Sequence, residues 1–98
     1  MMPGSFNNAK EATEEVKTLA KGMKDQVEKQ LGQTFDRFDA VVFSTQVVAG
    51  TNYLIKVQVG EEKFVHIKVH VPLAFKNAPN ELLECEGGKT FLDPLVKN

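Results

Sequence analysis

The spacing of apolar residues changes once along this chain, at Gly32, and this change restricts the folds that the chain can adopt. Before Gly32, apolar residues recur three or four positions apart, which gathers them on one face of a helix predicted over residues 12–31. After Gly32 they recur at every second position, the pattern of half-buried strands, most clearly over residues 53–59 and 65–71. A further strand is predicted over residues 38–45. The chain is therefore expected to form one N-terminal helix followed by antiparallel strands.

The C-terminal part of the chain has a weaker pattern. Leu82 and Leu83 are apolar, Gly87-Gly88 indicates a break, and a last strand is predicted over residues 89–96. Because Pro94 cannot donate a ladder hydrogen bond, this strand is expected at an edge of the sheet.

Length, charge and cysteine content exclude several classes of protein. A chain of 98 residues predicts a single domain over 1–98. The 12 basic and 13 acidic side chains are spread over both halves, so binding to nucleic acid or to a membrane surface is not expected. Cys85 is the single cysteine, so no internal disulfide forms, and no apolar run approaches the roughly 20 residues of a membrane helix. Since residues 1–6 also lack the features of a signal peptide, a soluble cytoplasmic protein is expected.

Three uncharged segments are predicted to meet at one end of the molecule. Residues 38–59 are too long for one strand, so they are expected to turn back near residues 50–52, with an apolar hairpin tip at residues 46–50. Following the strands in alternate directions brings residues 72–75 to the same end, and a helix antiparallel to the first strand brings residues 1–4 there. Together these segments form a narrow apolar wedge suited to a cleft in another protein. The residues alone equally allow the loops to pack against the protein's own core.

The residues at this end resemble a known family. Residues 46–50 read Gln-Val-Val-Ala-Gly, the QVVAG signature of the cystatins, and Gly4 stands where that family has its N-terminal glycine. The continuation over residues 51–57 is similar to the stefins, or type 1 cystatins, and the resemblance runs from residue 1 to about Val71. The single cysteine and the absence of tryptophan differ from secreted cystatins, which would bring four cysteines and a Pro-Trp loop.

The resemblance implies an α+β fold, with one long N-terminal helix packed on a curved antiparallel β-sheet of four to five strands. It also implies reversible, tight inhibition of papain-like cysteine proteases such as papain and cathepsins L, S, H and B. The inhibition would work by filling the groove around the protease's nucleophile, so neither enzyme activity nor a catalytic residue, cofactor or metal is expected in this chain. The residues that would contact the protease are Met2, Pro3 and Gly4 in an N-terminal trunk, Gln46, Val47, Val48, Ala49 and Gly50 in the hairpin, and Pro72, Leu73 and Phe75 in a second loop.

The second loop departs from the family's pattern. Stefins usually place Leu-Pro there, whereas this chain has Pro72-Leu73-Ala74-Phe75, with the proline before the leucine. Contact with the protease is therefore expected through Leu73 or Phe75. Residues 81–98 also depart from the pattern, and no binding role is assigned to them.

Other functions are weighed against inhibition. The same edge would serve a cystatin-fold interaction module that binds another partner and inhibits no protease. An enzyme that uses Cys85 or His66 is disfavoured, because nothing near Cys85 in the sequence supplies a base. His66 and His70 would lie about 13 Å apart on a strand, too far to share a metal ion, so both are predicted on the polar face.

The protein is expected to be mainly a monomer. If the hairpin tip opened, residues 38–59 would become one long strand available to a second chain. A domain-swapped dimer is therefore predicted on mild heating, as the resemblance to stefins also suggests.

Overall fold

The computed structural model describes residues 9–95, which form an antiparallel sheet with helices packed on one face. In chain order the elements are β1 (Lys10–Glu11), α1 (Glu14–Gly22), α2 (Lys24–Leu31), β2 (Asp39–Val48), β3 (Gly50–Gly60), β4 (Lys63–Val71), a 3-10 turn (Ala74–Lys76) and β5 (Glu81–Lys89). The five strands lie in the sheet in the order in which they occur in the chain. This confirms the predicted α+β fold with an N-terminal helix on a sheet of four to five strands.

The predicted helix is present, with one interruption. Thr13 caps its first turn, since the hydroxyl oxygen accepts a backbone hydrogen bond at 3.3 Å, and Gly32 ends it in the left-handed conformation with φ of 68°. At Met23 the backbone N–H bonds to the oxygen of Ala20, three residues back, so the helix tightens there and separates into α1 and α2. Within residues 9–95, no helix is long and apolar enough to cross a membrane.

The core lies between the helices and the face of the sheet that they cover, which we call the inner face. Alternate side chains of β3 and β4 point into it, as the period of two predicts. The buried members of this cluster are Val16, Ala20, Met23 and Val27 from the helical region, Phe35, Phe38 and Ala40 from the connection and β2, and Ile55, Val57, Val65, Ile67 and Val69 from β3 and β4.

Irregularities in strand pairing fix which residues stand opposite each other. The register shifts at Val41 in β2 and again at Val59 in β3, where one strand carries an extra residue. Two further shifts occur between β4 and β5. Such bulges bend a strand and increase its twist. No turn residue in the sequence predicts their positions.

The predicted last strand over residues 89–96 is wrong. Strand β5 ends at Lys89, and it contains Gly87-Gly88, which the sequence pattern indicates as a break. A glycine in a strand also marks a close approach by another element. Here a Cβ on Gly87 would lie 3.5 Å from Cδ1 of Leu31, so α2 passes directly over this part of β5.

Residues 90–95, which we call the C-terminal segment, fold over the outer face of the sheet. The ring of Phe91 packs against that of Phe64, with 5.8 Å between centroids. The ammonium group of Lys56 donates hydrogen bonds to the backbone oxygens of Phe91 and Asp93 and lies 5.1 Å from the Phe91 ring centroid. The segment thus covers the end of the sheet where β5 finishes.

The C-terminal segment buries two polar groups. His66 lies on the outer face, as predicted, but only 4% of its surface is exposed, and its Nε2 has no hydrogen-bond partner among residues 9–95. Burial, and then the positive charges of Lys56 and Lys89, lower the pKa of His66 to about 4. Burial also lowers the pKa of Lys56, against an opposing effect of Asp93.

Candidate functional site

The hairpin between β2 and β3 is tight. Both strands remain paired up to the tip, where Val48 stands opposite Gly50 and Ala49 alone occupies the turn. The turn therefore lies at residues 48–50, and the predicted break at residues 50–52 is displaced toward the N-terminus. Ladder pairing, which continues through those residues, overrides their turn preference.

The apolar side chains of this tip face outward. Val47 is 71% exposed and Val48 is 39% exposed, and Ala49 is exposed as well. Gln46 is half-buried and Gly50 is buried. Monomeric proteins seldom leave neighbouring apolar side chains in water without a reason, so the alternative that the tip folds under its own core does not apply.

Gly50 has a structural role of its own. Its φ of 113° is closed to most residues with a side chain. A Cβ at this position would lie 2.4 Å from the backbone oxygen of Val71 and 3.1 Å from Cα of Pro72. The close approach that only glycine allows is thus made within this chain, between the hairpin tip and the start of the second loop.

The second loop presents a further pair of apolar side chains. After the half-buried Pro72, the 3-10 turn is closed by a hydrogen bond of 3.0 Å from the Lys76 N–H to the Leu73 oxygen. Leu73 is 38% exposed and Phe75 is 80% exposed. The contact between Gly50 and Pro72 places this loop beside the hairpin tip, as the sequence predicts.

The third predicted segment, with Met2, Pro3 and Gly4, lies outside the described residues. The element nearest to it, β1, pairs antiparallel with β2, with Lys10 opposite Phe43. Because β2 runs toward the hairpin tip, the N-terminal end of β1 is directed toward the tip.

A row of polar side chains lies directly below the two loops on the outer face. Gln46, Asn52 and His70 stand opposite one another on β2, β3 and β4. The Asn52 amide nitrogen donates to the Gln46 side-chain oxygen at 3.1 Å, and the Asn52 oxygen lies 2.7 Å from Nδ1 of His70. Sequence reasoning missed the last two residues. Both are polar residues in largely apolar strands, and this is the signal that the sequence offers. That they stand opposite each other depends on the strand register, which the sequence alone does not give.

The arrangement of Cys85 and His66 does not suit catalysis. Cys85 stands opposite Ile67, on the inner face, whereas His66 is on the outer face, so the sheet separates thiol and imidazole. Burial raises the pKa of the Cys85 thiol, which keeps it protonated and weakly nucleophilic. Within residues 9–95, no three His, Cys, Asp or Glu side chains are grouped closely enough to hold a metal ion.

Comparisons of the sequence with known proteins give matches to one family. A family model described as a cystatin domain matches residues 4–91, which extends the similarity well beyond Val71 and through β5. The chain is 44% identical to Cystatin-A1 of pig (Sus scrofa) over 98% of its length and 93% of that protein. It is 44% identical to Stefin-C of cattle (Bos taurus) over 95% and 92%, respectively. It is 38% identical to the Leukocyte cysteine proteinase inhibitor 1 of pig, over 98% and 93%.

The match covers the helix, the sheet, the hairpin with residues 46–50 and the second loop. The chain therefore belongs to the cystatin family and is of the stefin type.

Proposed function

We propose that the protein is a reversible, tight-binding inhibitor of papain-like cysteine proteases, among them papain and cathepsins L, S, H and B. The observation that carries this proposal is the contact of Gly50 with Val71 and Pro72. It joins two loops, distant in sequence, into one uncharged edge whose apolar side chains face solvent. Membership of the cystatin family supports the same function, as does the similarity to a protein named as a cysteine proteinase inhibitor.

The edge is suited to binding because its parts are ordered before it meets a partner. The hairpin is paired up to its last residue, and the second loop is closed by its own hydrogen bond. Little conformational entropy remains to be lost on docking, so the burial of Val47, Val48, Leu73 and Phe75 translates into affinity.

The proposed mechanism is occlusion of the protease cleft. A papain-like protease carries a nucleophilic cysteine, activated by a histidine, at the bottom of a groove. The hairpin tip fills the middle of that groove, the second loop contacts the primed side, and Gly4 with the residues before it lies along the non-primed side. No peptide carbonyl of the inhibitor reaches a near-attack position, so no acyl-enzyme forms and the inhibitor is not consumed.

The second loop is expected to bind through different side chains from those of most stefins. Pro72 is half-buried and packs near Gly50, so it shapes the loop, whereas Leu73 and Phe75 offer the exposed surface. Phe75 is an aromatic side chain with 80% of its surface in solvent, and aromatic side chains bury a large apolar area when an interface covers them.

The proposal is tested by titration of papain with the purified protein, with a chromogenic peptide substrate as the readout. Residual activity is expected to fall linearly and to vanish near one inhibitor per active enzyme, and to return on dilution. If papain remains fully active in excess protein, the inhibitor function is refuted and the alternative of a cystatin-fold interaction module is favoured.

Deletion of residues 1–4 tests the role assigned to the N-terminal trunk. The truncated protein is expected to dissociate from papain faster, with a nearly unchanged association rate, since related complexes differ mainly in dissociation. Stopped-flow association and competitive displacement measure the two rates. An unchanged dissociation rate would show that Met2, Pro3 and Gly4 make no useful contact.

We also propose that the protein acts in the cytoplasm, as a monomer. Its one cysteine has no partner in the chain with which to form a disulfide, which suits a reducing compartment. The proposed wedge includes the hairpin tip, which forms when β2 and β3 pair within one chain, as they do in the monomer.

A further inference from the structure

We propose that His70 is a positioning residue that holds the hairpin tip against the second loop in the geometry that binds the protease. This inference rests on the proposed inhibitor function and deepens it. The second loop and the hairpin tip belong to different parts of the chain, so their relative position must be fixed by contacts between β4 and the β2–β3 hairpin.

The first contact is the polar row below the loops. Nδ1 of His70 lies 2.7 Å from the Asn52 side-chain oxygen, and because an amide oxygen only accepts, the bond requires a proton on Nδ1; Asn52 in turn donates to Gln46 at 3.1 Å. All three side chains are partly buried, so these bonds are less exposed to competing water than surface bonds are. The row ties β4 to both strands of the hairpin, four residues or fewer from the Ala49 turn.

The second contact is between the imidazole ring and the hairpin backbone. A Cβ placed on Gly50 would lie 3.1 Å from Cε1 of His70, so the ring packs directly against this glycine. Two residues after His70 the chain reaches Pro72, where the second loop begins. One side chain therefore touches the hairpin at Asn52 and at Gly50, from a strand position adjacent to the other loop.

These contacts distinguish His70 from the other outer-face residues of β4. His66 lies at the opposite end under the C-terminal segment, and Lys68 forms an ion pair of 3.8 Å with Glu84 on β5. Neither lies in the row that reaches the hairpin tip. Glu81, directly opposite His70 on β5, is the acidic residue nearest in register.

Without the imidazole donor, the strands remain paired but the tip is held less firmly against Pro72. The complex then has to order the tip as well as bury it, which lowers affinity. Because a single hydrogen bond has a modest net effect, the expected change is about 3- to 10-fold in the dissociation rate.

The experiment compares His70→Phe with His70→Asn in papain binding. Phenylalanine keeps a ring beside Gly50 and removes the donor, whereas the side-chain amide nitrogen of an asparagine at this position can take the place of Nδ1. We expect His70→Phe to dissociate about 3- to 10-fold faster than the parent and His70→Asn to return most of that loss. Gln58→Ala is the matched control, since it removes a side-chain amide from the same face of β3 that bonds at the far end, to the Gly60 oxygen. It is expected to dissociate at the parent rate.

The inference is overturned if His70→Phe dissociates at the parent rate, or if His70→Asn dissociates as fast as His70→Phe. A nitrogen-15 spectrum of the free protein tests the bond without any protease, and the neutral His70 ring is expected to carry its proton on Nδ1. Observation of the Nε2–H tautomer would overturn the inference in the same way. Failure of the parent to inhibit papain, with the Nδ1–H tautomer present, would instead refute the proposed function.

Discussion

Gly50 shows how one residue sets the geometry of the whole edge. Its φ of 113° and its distance from the Val71 oxygen leave no room for a side chain. Gly50→Ala is expected to lower the free energy of unfolding by about 1–3 kcal/mol, because strain or separation of the two loops must follow. It is also expected to weaken papain inhibition. Urea unfolding and the papain titration measure the two effects.

The matched control for this substitution is Gly22→Ala. Gly22 lies in α1, and a Cβ there would have no atom of the described residues within 4 Å. Alanine in a helix is more stable than glycine by up to about 1 kcal/mol, so this variant should be at least as stable as the parent. Equal stability changes in Gly50→Ala and Gly22→Ala would show that the Gly50 contact is not a constraint.

A substitution at Val48 is expected to change protease binding without changing the stability of the fold. The Val48 side chain is 39% exposed at the tip, so an acid there meets water in the free protein but would meet an apolar cleft in the proposed complex. Val48→Asp is expected to cost about 2–4 kcal/mol of binding, roughly 30- to 700-fold in Kd, with the melting temperature nearly unchanged. Inhibition of papain and thermal unfolding measure the two quantities.

Leu92→Asp controls for the charge that Val48→Asp introduces. Leu92 is 90% exposed in the C-terminal segment, beyond the end of the sheet away from the hairpin tip. The same apolar-to-acid change there should leave inhibition intact. A large loss of stability in Val48→Asp, or an equal loss of inhibition in Leu92→Asp, would contradict the role given to the tip.

For single residues, the sequence predicts which side chains are exposed at the tip better than it predicts which residues contact one another behind it. The apolar residues 46–49 are poor turn formers, and that alone indicates an exposed tip or a packed one. The contact of Gly50 with Pro72 and the bond from His70 to Asn52 depend on the register of three strands. Bulges at Val41 and elsewhere shift that register, and nothing in the composition reveals them.

Among the elements, the C-terminal segment links stability to pH. His66 is buried beneath it, and burial, Lys56 and Lys89 together lower the pKa of His66 to about 4, against smaller opposing effects of Glu86 and Asp93. The unfolded chain binds a proton at His66 near pH 6.5, so between about pH 6.5 and about pH 4 the unfolded state holds more protons. Stability contributed by neutral His66 is complete above that range and falls as the pH falls through it, by at most about 3 kcal/mol.

The variant His66→Gln tests this origin of acid sensitivity. Its free energy of unfolding, from urea titrations between about pH 7 and about pH 4, is expected to decline less steeply than that of the parent. The comparison uses the slope with pH, so an overall change in stability from the substitution does not affect it. Parallel profiles for parent and variant would assign the acid sensitivity to other groups.

The elements that the sequence predicts well are those with a strong local pattern. The helix begins at the Thr13 cap and ends at Gly32, and β3 and β4 follow the alternation of Val and Ile. Strand β5 lacks a clear alternation of apolar and polar residues, because it is an edge strand and α2 approaches it at Gly87. The C-terminal segment is held by Lys56, 37 positions earlier than Asp93, and a contact between such distant residues leaves no periodicity to recognise.

In the whole molecule, the exposed apolar loops lie at one end of the sheet, and the polar side chains buried by the C-terminal segment lie at the other end. The hairpin tip and second loop, with exposed apolar side chains, lie where β4 ends. The buried Lys56, Phe64 and His66 lie toward the other end, where β5 finishes and the C-terminal segment folds back. A substitution at one end is therefore expected to leave the contacts at the other end unchanged, because free-energy changes are additive for separated sites that share no partner.

The same hairpin that forms part of the proposed binding edge also offers a route to a dimer. If the turn at residues 48–50 opens, β2 and β3 become one continuous strand from Asp39 to Gly60, and each ladder bond can form again with a second chain. Only the turn itself differs between the two states, and Val48 and Ala49 are poor turn residues. A domain-swapped dimer is therefore expected after mild heating below the unfolding transition.

Size-exclusion chromatography after such heating should show a dimer peak that persists on cooling. The dimer has no hairpin tip, so the isolated dimer fraction is expected not to inhibit papain, while the monomer fraction remains active. Gly50→Ala, which strains the closed turn, should form the dimer at a lower temperature than the parent. A strictly monomeric profile would exclude the swap, and an inhibitory dimer would show that the two chains associate with their hairpins closed.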